Sequence, residues 1–260
     1  MGIEDKLEPL TGKVFQLTQP FQGDDATAWT VHAGRGSFIL KTVRPGHDPD
    51  GLRREQVVLA TLPRDTALEL PRPVGLFEFE GVIYGLQTCL EGQNLVHALR
   101  QADEPTRHLL VRSWGHALRE IHRWQPTLAF RESPLESFEI TRRQTPKDTA
   151  IEHGPFRGWM AQAVLDELEA ARHLIQPRIV FTHWDYCVPN ALAQGKKVSA
   201  IVDWCTGRYA DYRSDLAAAS WSLEYNLGSR DYLPSLLEGY RYSGTLEELR
   251  WFEGLWALPV

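Results

Sequence analysis

His183-Trp184-Asp185-Tyr186-Cys187-Val188-Pro189-Asn190 is followed, a short stretch later, by Ala200-Ile201-Val202-Asp203-Trp204. The first run offers a carboxylate and a side-chain amide, and the second adds another carboxylate at the end of an apolar segment. Oxygen ligands of this kind suit magnesium, and a carboxylate beside them can orient a hydroxyl for attack on a phosphoryl group. Asp185 is the candidate base; Asn190 and Asp203 are the candidate metal ligands. Residues 191–193, Gln194-Gly195 and residues 198–202 read as strand, turn and strand, a hairpin that would bring Asn190 and Asp203 to one open end. Taken singly, each residue has a plainer reading: Asp185 as a cap or turn residue, Asn190 as a turn residue after Pro189. Cys187, Cys205 and His183 also raise zinc, but no C-x-x-C or H-x-x-x-H pair fixes two ligands on one element.

Phosphoryl transfer also needs a cation on the phosphates. Lys41 ends the apolar run Ser37-Phe38-Ile39-Leu40-Lys41, where a lysine is ordinarily an edge or solvent-facing residue. Alternatively it reaches the phosphates, held by Glu55 from the amphipathic helix expected over residues 52–62. Gly23 opens a short loop between the first two expected strands whose backbone N–H groups could cover phosphates. Around these residues, strands are expected over 13–17, 28–33, 36–43, 74–79 and 82–89, making a five-stranded antiparallel sheet with one helix. Gly34-Arg35-Gly36 is a hairpin turn and not a dinucleotide fingerprint, since the third glycine is missing and a strand follows. Gly195-Lys196 likewise lacks the other residues of a Walker A loop.

Beyond residue 90 the pattern turns helical, with helices expected over 106–124, 156–175, 214–225, 232–242 and 245–256 and a loop-rich stretch over 125–155. The expected class is therefore α+β, with residues 1–89 as a nucleotide-binding lobe and residues 90–260 as a mainly α-helical catalytic and substrate-binding lobe. Thr88-Cys89-Leu90-Glu91-Gly92 would be the hinge.

The 260-residue chain is 43% hydrophobic and carries a formal charge of −6, which argues against a nucleic-acid partner. No apolar run is long enough to span a bilayer, and the first residues show no secretory pattern. Gly2 lacks the Ser or Thr that myristoylation wants, because Lys6 stands there. Three cysteines in a chain this large fit a reducing compartment. A cytoplasmic protein is expected, with no membrane partner.

Phe38-Ile39-Leu40-Lys41, Glu55, Leu90-Glu91-Gly92, His183-x-Asp185-x-x-x-x-Asn190, Ile201-Val202-Asp203-Trp204 and Asp215-Leu216-Ala217 together resemble the aminoglycoside phosphotransferase and choline kinase group of small-molecule kinases. These are relatives of the protein kinases, and the resemblance runs over roughly residues 10 to 245. It implies a bilobal protein kinase-like fold and an ATP- and Mg2+-dependent transfer of the γ-phosphate to a hydroxyl of an aminoglycoside, amino alcohol or sugar-like acceptor. It further implies adenine against the backbone near Thr88 and Leu90, apolar contacts from Ile39, Leu192 and Val202, and His183 and Asp215 as supporting residues. The family commonly has glycine between the His and the Asp, where this chain has Trp184, either a packing residue or a wall of the acceptor pocket. A rival reading is a kinase-like ligand-binding module without turnover. Retention of Lys41, Asp185, Asn190 and Asp203 together argues against it. A protein acceptor is disfavoured because the stretch from Asp203 to Asp215 is too short for a docking segment. Acids and bases balance over residues 128–160, so no polycation preference is legible there, and a cation-π box among the tryptophans and tyrosines stands only as an alternative to core packing.

Overall fold

Burial alternates along β3 (Gly36–Val43): Phe38, Leu40 and Thr42 are buried on one face while Ile39 and Lys41 point to the other and are half-buried. This is what a two-residue period dictates for a strand inside a sheet. The computed structural model describes residues 2–22, 26–44, 48 and 50–259, with the backbone alone for 19–22; Gly23, expected over the phosphates, lies outside the described residues. The chain divides into two compact units, Met1–Glu91 with Ile201–Thr206, and Gly92–Ala200 with Gly207–Val260.

In the first unit, β1 (Val14–Gln22), β2 (Ala26–Ala33), β3, β4 (Pro73–Phe79) and β5 (Val82–Thr88) form an antiparallel sheet in the order β1-β2-β3-β5-β4. Its inner face gathers Val31, Phe38, Leu40 and Leu86 around Leu7. Leu7 belongs to α1 (Ile3–Thr11), so the unit carries two helices among the described residues, not the single one expected. Asp5 accepts from the Gly2 N–H at 2.8 Å and starts α1, but Pro9 inside it interrupts the sequence pattern. The expected helix is α2 (Asp50–Thr61), with Leu52, Glu55, Val58 and Leu59 buried.

The second unit is mainly helical: α3 (Leu95–Gln101), α4 (Glu104–Ile121), α5 (Pro134–Gln144), α6 (Ala161–Ala171), α7 (Arg213–Leu227), α8 (Leu233–Tyr240) and α9 (Leu246–Ala257). Two small sheets accompany them, β6 (Gln93–Asn94) with β8 (Ala191–Gln194) and β9 (Lys197–Ile201), and β7 (Ile179–Thr182) with β10 (Arg208–Asp211). The terminal residue of β9, Ile201, groups with the first unit. α5 occupies part of the stretch expected as loop. Its proline sits at the first helical position, where the missing N–H is no loss, and Phe138 anchors it in a core with Phe156, Leu168 and Trp251. No helix among the described residues is long and apolar enough to cross a membrane.

α4 and α8 approach closely where glycines face the partner backbone. A Cβ on Gly115 would stand 2.1 Å from the Leu236 carbonyl oxygen, and one on Gly239 only 1.9 Å from that of Arg112. Gly239→Ala is therefore expected to destabilise the protein by about 3 kcal/mol, read from urea unfolding of the full chain. An unchanged midpoint would mean the two helices can separate at little cost.

Candidate active site

Residues 183–190 leave β7 and enter a 3₁₀ turn that precedes β8. The loop is tied down mostly through its backbone. Fully buried Asp215, at the start of α7, accepts from the His183 N–H at 2.8 Å, the Trp184 N–H at 2.7 Å and His122 Nε2 at 3.0 Å. His122 is oriented in turn by Tyr240 Oη at 2.8 Å from its Nδ1. Several donors on one buried carboxylate offset its desolvation. The Val188 N–H donates to Ser222 Oγ at 2.8 Å, and Asn94 Nδ2 donates to the Pro189 carbonyl at 2.8 Å. Tyr186 is fully buried, stacked on Trp114 and edge-on to the buried His183 ring.

The loop presents Asp185 and Asn190 as a pair. Asn190 Nδ2 donates to Asp185 Oδ2 at 2.9 Å and to the Asp185 carbonyl at 3.0 Å. Its N–H groups thus serve Asp185, and its Oδ1 is the atom suited to a hard cation. Cys187, between them, has its thiol pushed well up, first by burial and then by the neighbouring Asp185 carboxylate.

Trp184 has a φ of 71°, the left-handed region that favours glycine. The strain is held by its N–H on Asp215 and by the Arg208 guanidinium 4.7 Å from the centre of its ring, with Arg208 itself bonded to Glu132 at 2.5 Å. This gives a backbone reason for the glycine that the resembling family carries here. Trp184→Ala is expected to be about 1 kcal/mol less stable than Trp184→Gly, the reverse of the usual order, in parallel thermal melts. The usual order would show that the left-handed backbone imposes no strain.

In the first unit, Lys41 Nζ donates to Glu55 Oε1 at 2.7 Å and lies 3.3 Å from Asp203 Oδ1. Glu55 is 2% exposed and also accepts from the Trp204 N–H at 3.3 Å. Burial alone would depress Lys41, but the Asp203 and Glu55 carboxylates outweigh it and hold the ammonium well above the ordinary lysine range. Burial pushes the Glu55 carboxyl up, with Lys41 and the Trp204 N–H offsetting part of that rise. Asp203 follows β9 with a φ of 67° and keeps a side chain 45% exposed.

Ile39 is the next residue towards the start of β3 on the Lys41 face. Beyond β5 the Cys89 N–H donates to the Ser37 carbonyl at 3.1 Å and Thr88 Oγ1 accepts from the Arg72 N–H at 2.9 Å, after which the chain leaves the sheet at Leu90. Thr88, Leu90 and Val202 are half-buried in this unit; Leu192 is half-buried on β8 of the other. The expected site residues therefore form two groups, Lys41 with Glu55 and Asp203, and Asp185 with Asn190, His183 and Asp215.

The amide oxygen of Asn190 in the second unit and the carboxylate of Asp203 in the first are each a hard donor of the kind magnesium takes. Among the described residues no three His, Cys, Asp or Glu side chains group to hold a metal by themselves. An ion that shares its coordination with phosphate oxygens requires fewer protein ligands. Of the aromatics considered for a cation box, Trp221 and Tyr225 stack at 4.8 Å and 10°, leaving no gap between them, with His153 edge-on to both. Sequence reasoning missed His122, Tyr240 and Ser222, none of which stands in a local pattern with the loop they support.

Residues 17–252 match the phosphotransferase enzyme family, and the chain belongs to it. By class it is a small-molecule kinase, an enzyme that moves a phosphoryl group to an alcohol. It is 29% identical over 239 residues to an aminoglycoside 3'-phosphotransferase of Niallia circulans, covering 88% of this chain and 85% of that one. In fold it is similar to aminoglycoside phosphotransferase APH(3'')-Id of Streptomyces rimosus, with a TM-score of 0.68 at 19% identity over 91% of this chain and 90% of that one. A thermostable mutant of APH(4)-Ia gives a TM-score of 0.70 at 17% identity over 97% and 88% of the two chains. A ternary complex of APH(2'')-IIa with streptomycin and ATP gives 0.65 at 13% identity over 96% and 85%.

Proposed function

We propose that the chain transfers the γ-phosphate of ATP, with magnesium, to a hydroxyl of an aminoglycoside, amino alcohol or sugar-like small molecule. The observation that carries this reading is Lys41, a half-buried lysine whose ammonium lies 2.7 Å from Glu55 and 3.3 Å from Asp203. A strand lysine ion-paired to a helix glutamate beside a metal-type carboxylate is what phosphate binding in kinase-type sites requires. The relative from Niallia circulans, named for phosphorylating aminoglycosides, favours that acceptor class.

Nucleotide binding is assigned chiefly to residues 1–89, with Lys41 on the phosphates, Ile39 against the base and Thr88 on its edge; Leu90, Leu192 and Val202 add to it from beyond that range. Residues 90–260 hold the acceptor. Asp185 accepts a hydrogen bond from the acceptor hydroxyl and turns a lone pair of its oxygen towards the γ-phosphorus. The new P–O bond forms as the bond to the β-phosphate oxygen breaks, ADP leaves, and the hydroxyl proton passes to Asp185. Magnesium held by Asn190 and Asp203 would neutralise charge on the phosphates. Use of ATP and three thiols suit the cytoplasm.

Incubation with γ-labelled ATP, with and without magnesium, against aminoglycosides, amino alcohols, sugars and a protein mixture tests the reading. Label should pass to one small-molecule class and only with magnesium. Nucleotide binding with no transfer to any acceptor would favour the rival, a ligand-binding module.

A further inference from the structure

Gln87 is a polar residue out of place. It lies near the end of β5, is 3% exposed, and its side-chain Oε1 has no hydrogen-bond partner among the described residues. A buried carbonyl oxygen left unsatisfied is destabilising, and such groups in folded proteins call for an explanation.

Its position narrows the explanation. Gln87 pairs with Ile39 across β3 and β5, and Gly85 pairs with Lys41. Directly paired residues project to the same face of a sheet, so Gln87, Ile39, Gly85 and Lys41 share one face. Over Gly85 that face is covered by α2: a Cβ there would meet Gln56 and Leu52 at 3.5 and 3.7 Å. Gln87 stands one pair further along, beside half-buried Ile39 and immediately before Thr88, the last residue of β5. It is therefore on the phosphate-binding face of the sheet, on the side away from the Lys41 ammonium and towards the segment assigned to the base.

We propose that Gln87 is a specificity-determining residue whose Oε1 accepts a hydrogen bond from the 6-amino group of a bound adenine. This rests on the kinase reading above. The orphan atom is an acceptor, so its natural complement is an N–H, which adenine offers at C6 and guanine does not. The contact adds to whatever the backbone at Thr88 and Leu90 supplies. Among the described residues the acceptor has no partner, and a bound adenine would supply one.

Calorimetry on the full chain with magnesium-ADP and with magnesium-purine riboside 5'-diphosphate, which lacks the 6-amino group, tests this without any acceptor. Wild type should prefer ADP. Gln87→Leu, close in volume and without polar atoms, should lower that preference about tenfold by weakening ADP alone, and should raise the melting temperature of the nucleotide-free protein. Affinity and stability moving in opposite directions is what a merely structural glutamine would not produce. Gln87→Met gives the same comparison if the leucine variant does not fold. An ADP preference unchanged in the variant overturns the proposal, as does tighter binding of GDP than ADP by wild type, which would mean the amide donates to a 6-oxo group. Failure of wild type to bind either nucleotide would instead overturn the kinase reading on which the proposal stands.

Discussion

Asp185→Asn is expected to reduce turnover by about a thousandfold while leaving nucleotide affinity within about twofold. The substitution keeps the shape of the side chain and removes the carboxylate, so under the proposed mechanism the acceptor hydroxyl would lose its proton acceptor and its orientation. Asp185 is half-buried on a loop whose backbone is held by Asp215, Ser222 and Asn94, and none of those bonds needs the Asp185 carboxylate. The fold should accordingly survive, with a melting temperature close to wild type. Nucleotide binding should change little because the Lys41–Glu55–Asp203 group does not use the Asp185 carboxylate, and the asparagine introduced in its place keeps a side-chain oxygen to accept from Asn190 Nδ2. Steady-state kinetics with the acceptor found by the label-transfer screen, alongside calorimetry with magnesium-ADP, separate the two effects. Turnover near wild type would remove Asp185 from the chemistry. A matching loss of ADP affinity would mean that the residue contributes through the phosphates and not through the hydroxyl.

The parts of this site that were legible in the sequence are those encoded by short-range spacing. His183-x-Asp185 and Asn190 stand within a few residues, and the apolar run ending at Lys41 and the helix carrying Glu55 both have a period. Their pairing follows once strand and helix are placed, because α2 follows β3 and packs on it. Contacts that cross long separations leave no such trace. His122 meets Asp215 across 93 positions and Lys41 meets Asp203 across 162, each with nothing local to announce it. The left-handed backbone at Trp184, a conformation that suits glycine, is invisible until its φ is known. α1 and α5 were obscured by prolines that in one case sit inside the helix and in the other begin it. Gln87 has nothing in its local pattern to set it apart from any polar strand residue, and only its burial beside a strand end marks it.

Lys41→Met is expected to abolish measurable transfer and to make stability depend on pH more steeply than in wild type, where Glu55 is already raised but Lys41 offsets part of the rise. Glu55 stays buried after the substitution, now without its ammonium partner. Were it to remain ionised, breaking a buried pair in this way would cost about 3–5 kcal/mol. Burial already pushes the Glu55 carboxyl up, and Lys41 is the main influence holding it down, so its removal lets the group protonate in the folded state. A carboxyl whose folded pKa lies above its unfolded value, about 4.3, contributes stability that is fully present below that value and is lost as pH rises through the folded pKa. The variant should thus melt higher at pH 5 than at pH 8. Adding Glu55→Gln removes the titrating group, so the double variant should recover stability at pH 8 and lose the pH dependence while remaining inactive, because the cation on the phosphates is still missing. Recovery of stability without activity would assign Lys41 two separable roles, one in the fold through Glu55 and one on the nucleotide. Recovery of both would show that its only contribution is to keep Glu55 buried.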